Sequence, residues 1–167
     1  AFSECRYLEE IEIPSGVTRV GLLKGDESLR RVVFSDTVDN FPKTLFYGCT
    51  SLNKVEVSSG NPKYSADDFA IYSESGTCID LFYTSEETSF VVPEQVKKIG
   101  LNCFNDDSSL LEELTIPGSV EVFEDRAVRD QILINCYKDS PAHEYAKSSH
   151  LFRFLDTQEG TLYFEAG

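Results

Sequence analysis

The chain is short of most of what catalytic, nucleic-acid-binding or membrane-spanning proteins rely on. Its 167 residues include two histidines, no methionine and 15 Lys and Arg against 29 Asp and Glu. A phosphate backbone requires clustered Lys and Arg, so a net charge of −14 excludes nucleic acid as a partner. A surface this acidic serves solubility first. No apolar run approaches the roughly 18 residues of a bilayer crossing, so no membrane insertion is expected in this segment, and no signal peptide is legible. The five cysteines, Cys5, Cys49, Cys78, Cys103 and Cys136, are odd in number and at no metal-ligand spacing. Of the histidines, His143 and His150, the first forms with Cys136 the outline of a nucleophile and base, but no third group orients them. Asp67-Asp68 and Asp106-Asp107 lack the alternating oxygen ligands of a calcium loop. The chain is therefore expected to be no enzyme, with no catalytic residue, cofactor or metal.

What is present is repetition. The frame Leu8, Ile11, Ile13, Pro14, Val17, Val20, Gly21 returns as Leu29, Val32, Phe34, Ser35, Val38, Phe41, and a third copy opens with Leu52, Val55, Val57. A fourth holds Phe90, Val92, Pro93, Val96, Ile99, Gly100, a fifth Leu111, Leu114, Ile116, Pro117, Val120, Phe123, and a degenerate sixth only Ile132 and Ile134. Leu8 to Leu29 is 21 residues and Leu29 to Leu52 is 23, a period at which each unit buries its apolar face only against its neighbours. Each Ile-x-Ile core alternates as a half-buried strand does, and the proline behind it ends the strand because it has no amide to donate. Gly21 and Gly100 are expected to permit a tight reversal into the next coil. Cys5 and Cys49 hold equivalent places about 9 to 10 Å apart, too far for a disulfide, and read as small buried fillers.

Two stretches break the rhythm. After Val57 comes the turn-rich Ser58 to Pro62, and no strand core resumes until Phe90. Between them, Phe69 to Tyr72 and Cys78 to Tyr83 flank Ser73 to Thr77, which predicts a β-hairpin. Near the end, Pro141 to Ser149 carries Ala142, Tyr145 and Ala146 at helical spacing with Ser140 as N-cap, followed by Phe152 and Phe154 in strand alternation. This reads as a cap over the last coil. Residues 1–57 are thus repeats, 58–89 a hairpin insertion, 90–134 repeats and 135–156 a cap, all one domain, with 157–167 a tail holding a possible extra strand. Ala1-Phe2 falls inside a repeat, which predicts either more coils upstream or self-association through an uncapped N-terminal edge.

The phrases AFSEC, LEEIEIPSGVTRVG, VVPEQVKKIG and LTIPGSV resemble the BspA-like leucine-rich repeats of bacterial and some protozoan surface proteins. So do the insertion beginning Asn61-Pro62-Lys63-Tyr64-Ser65 and the terminal element from Cys136 to Asp156. The glycine usual in the hairpin's first strand is replaced by Phe69, and the second copy lacks its AF, Cys and Pro, reading Leu22-Leu23, Asp26 and Ser35. The expected fold is an α/β, β-dominated right-handed solenoid, a leucine-rich-repeat superhelix of about five coils with a β-hairpin insertion and a helix-containing C-terminal cap. The resemblance implies an extracellular or cell-surface protein that binds protein or extracellular-matrix partners. The alternative is a structural spacer that presents another module of a longer surface protein.

A solenoid's sheet face offers a partner a regular side-chain ladder. Its expected central column is Glu12, Val33, Glu56, Val91, Thr115 and Leu133, flanked by Glu10, Arg31, Lys54, Ser89, Glu113 and Gln131. Val33, Val91 and Leu133 are apolar where water favours polar groups, although β-propensity also selects valine there. Tyr64, Tyr72 and Tyr83, with Phe82, crowd the hairpin, either as projecting anchors or as the packing that pins the hairpin down.

Overall fold

The computed structural model describes residues 7–83, 86–148, 151–155 and 164–165, so Ala1-Phe2, Cys5, His150, Asp156 and most of the tail lie outside the described residues. The first three strands, β1 (Glu10–Ile13), β2 (Arg31–Phe34) and β3 (Lys54–Val57), form one parallel sheet in chain order. The insertion follows as β4 (Ser65–Ala66), β5 (Ala70–Ser73) and β6 (Cys78–Phe82), antiparallel throughout. Beyond it come β7 (Ser89–Val91), β8 (Lys98–Ile99), β9 (Glu113–Thr115), β10 (Val122–Phe123) and β11 (Leu133–Cys136). The helix α1 (Pro141–Ala146) and the strands β12 (Phe152–Phe154) and β13 (Phe164–Glu165) complete the order.

The frame folds as its periods dictate. β1 stops at Ile13, immediately before Pro14, and the amides of Val17, Val96 and Val120 each bond back to the carbonyl of the proline three residues earlier. In the second coil Ser35 stands in for proline, and its hydroxyl donates to the Pro14 carbonyl at 3.1 Å. The apolar frame then faces inward, with Leu29, Val32, Phe34, Val38, Leu114, Ile116 and Val120 fully buried. What the sequence suggests as plain arcs between strands carries a second line of pairing: β6, β8 and β10 are parallel, and single bridges join Arg19 to Asn40 and Phe104 to Val128.

Seven strands (β1, β2, β3, β7, β9, β11 and β12) succeed one another along the main face, so the solenoid has about seven turns rather than about five. The degenerate copy around Ile134 and the closing strand both join the ladder as full members, Ile134 opposite Leu114 and Phe152 opposite Ile134. Gly21 and Gly100 also differ from expectation, since neither has a positive φ. Gly100 is required instead by close approach, because a Cβ there would stand 3.1 Å from the Ile79 carbonyl oxygen and 3.4 Å from the Asp80 Cα. Gly21 has open space at the same point.

The hairpin divides the interior. Ile71, Leu81 and Tyr83 pack into the apolar cluster of the first three coils, while Ala70, Tyr72, Ile79 and Phe82 pack into the cluster of the later ones. A bulge at Asp80, with Ile71 opposite Leu81 and Tyr72 opposite Ile79, turns Ile79 and Leu81 to opposite faces, and a strand buried on both sides reads as a nearly continuous apolar run. Cys78-Ile79-Asp80-Leu81-Phe82 is buried at every position. Its one charged member, Asp80, is paired through one carboxylate oxygen with Lys43 from the preceding coil, which offsets part of the cost of burying the charge. At the far end Ser140 caps α1, its hydroxyl accepting from the His143 amide at 3.2 Å, and Ala142 and Ala146 are fully buried against the last coils.

Candidate functional site

The sheet face carries the outward column in two pieces. Glu12, Val33 and Glu56 are in register across β1 to β3, and Val91 and Thr115 across β7 and β9. The sixth position is a correction. Leu133 pairs with Glu113 in the flanking column, and Asn135 occupies the central place opposite Thr115. The degenerate copy suggests Ile132 and Ile134 as its inward pair, whereas the inward pair is Ile134 and Cys136, a shift of two residues that preserves the facing and moves the register. A cysteine in the second inward position is the signal that hid it. Arg153 of β12 extends the column past Asn135.

The two pieces have different chemistry. In the first, the Arg31 guanidinium donates to Glu56 Oε1 at 3.0 Å and to Glu10 Oε2 at 3.3 Å, so one cation bridges three coils. That hydrogen bond holds the Glu56 carboxyl below the usual carboxylate range. In the second, Asn135 Nδ2 donates to Glu113 Oε1 at 2.7 Å and to Thr115 Oγ1 at 3.3 Å, and Arg153 Nη1 reaches the same Glu113 oxygen at 3.3 Å. Next to this network Val91 is 66% exposed, the most open large apolar side chain on the face.

The hairpin aromatics do not project. Tyr64, Tyr72 and Tyr83 are buried at 8%, 5% and 5% exposure, which removes them as surface anchors. Their hydroxyls bind inward: Tyr64 to the Asp39 carbonyl at 3.3 Å, Tyr72 to Asp67 Oδ2 at 2.7 Å, and Tyr83 to the Asp67 carbonyl at 2.5 Å. Burial pushes the Tyr83 hydroxyl up to about 12 and the Tyr72 hydroxyl higher. The physical reason is the hairpin's place as a wall, which gives each of its faces an apolar neighbour.

The reactive side chains are spent on packing. Cys49 is 3% exposed, its thiol donating to the Leu23 carbonyl at 3.1 Å, and Cys78, Cys103 and Cys136 are also buried and free. Desolvation raises Cys136 to about 11, which keeps it a thiol at neutral pH and unfit as a nucleophile. The His143 ring lies edge-on to Phe152 and Phe154, with Nδ1 accepting from the Asp139 amide at 3.0 Å. No group of three metal-ligating side chains converges among the described residues.

Two hollows among the described residues differ in character. One, of about 300 Å³, lies at the first coil and is lined by Ile11, Ile13, Val17, Val20 and Leu23. The other, of about 450 Å³, is polar and lies between Asn105, Asp107, the Asp125 to Gln131 loop and Tyr145 of the cap helix.

The model of the BspA-type leucine-rich repeat region matches residues 1–79 and 78–149 in six copies. The chain belongs to this family. Among solved structures it is similar to a leucine-rich repeat protein of Eubacterium ventriosum, at 26% identity and a TM-score of 0.64 over 78% of this chain and 36% of that one. It also shares the fold of the pneumococcal vaccine antigen PcpA, at 22% identity and a TM-score of 0.52 over 70% of this chain and 36% of that one. A leucine-rich cell surface protein of Faecalibacterium prausnitzii matches at 20% identity and 0.52 over 80% and 42%. The chain thus spans between about a third and two fifths of these neighbours' length. None of them is named for an enzymatic activity, and no curated protein matches the chain.

Proposed function

We propose that this BspA-type array is a non-enzymatic recognition or adhesion module at a bacterial cell surface, binding a protein or extracellular-matrix partner through its outward sheet face. The observation that carries this reading is the in-register outward ladder, with Arg31 fixed between Glu10 and Glu56 and Val91 left 66% exposed beside Thr115. Side chains held by neighbouring coils lose little freedom on binding, which favours a preorganised contact. The family membership and the naming of one fold neighbour as a cell surface protein support the location.

The test is a panel of immobilised matrix and bacterial surface proteins probed with the unsubstituted chain and with Glu12→Lys, Val33→Asp, Glu56→Lys and Val91→Asp. Affinity for any bound partner should fall by about tenfold or more for at least one substitution at the centre of the contact, in line with hot-spot energetics. If all four variants bind a partner as the parent does, the face is not the contact surface, and if the parent itself retains no partner the array serves as a spacer.

A further inference from the structure

We draw no further inference here: the strongest candidate, the polar hollow of about 450 Å³ between the Asp125 to Gln131 loop and Tyr145 of the cap helix, carries nothing because its carboxylates Asp107, Asp125 and Asp130 are exposed side chains, an acidic cluster with no second feature among the described residues that points to a ligand.

Discussion

The coils before the hairpin and those after it share an inward frame and differ in nearly everything outward. Val32 and Leu114 sit at the same inward position and are both fully buried, whereas the outward column beside them runs Glu12, Val33, Glu56 on one side and Val91, Thr115, Asn135 on the other. The first sheet holds its charge in an exposed clamp centred on Arg31, and the second hides its polar groups in a network around Asn135, which is 3% exposed. Stacking constrains one side chain in two along each strand and leaves the other free, so divergence collects on the face. The interior falls into two apolar clusters, one in each half, and the hairpin's strands contribute side chains to both.

The largest effect should come from breaking that wall on one side only. Leu81 is 1% exposed and belongs to the first cluster, so Leu81→Ala should cost about 2–5 kcal/mol. In a stacked array each unit is stabilised by its neighbours, so the loss should concentrate in the first half. Hydrogen exchange should show the Val32 to Phe34 amides losing protection while those of Leu114 and Ile116 keep theirs. Equal loss in both halves would mean that the wall couples the clusters into one cooperative unit.

A smaller effect should separate two glycines that the repeat makes equivalent. Gly100→Ala drives a Cβ against the Ile79 carbonyl at 3.1 Å and crowds Asp80, so it should destabilise by about 1–3 kcal/mol. Gly21→Ala meets nothing within 4 Å and needs no positive φ, so it should be neutral or stabilise by about 0.4–1 kcal/mol through the unfolded state. Thermal melts of the two variants check the contrast, and equal shifts would remove the hairpin's close approach as its cause.

The inward half of this structure is legible in the sequence because period and packing are the same constraint. Ile11 to Ile13, Val32 to Phe34 and Val55 to Val57 declare their strands, and Pro14, Pro93 and Pro117 mark their ends. The outward half is less so. Asn135 stayed hidden because Ile132 and Ile134 imitate the frame two residues early, and a register error of two leaves the facing intact. The tyrosines of the insertion look like anchors in sequence, since nothing local distinguishes a hairpin that projects from one buried on both faces. That β3 ends its sheet is set by which strands fail to meet, a property of topology that no residue of β3 announces.

The smallest effect tests whether the two faces differ in energy as they do in chemistry. Asn135→Ala removes donors to Glu113 and Thr115 from a position that is 3% exposed. Leaving buried polar groups short of a partner should cost about 1–3 kcal/mol, seen as a lower melting temperature. Arg31→Ala removes two hydrogen bonds as well, but both lie in water, where screening and side-chain entropy offset the attraction. Its melting temperature should therefore move too little to resolve, and less still as salt is added. A shift from Arg31→Ala as large as that from Asn135→Ala would show that the clamp contributes to stability, and the first face would then be structural where it is here read as free for a partner.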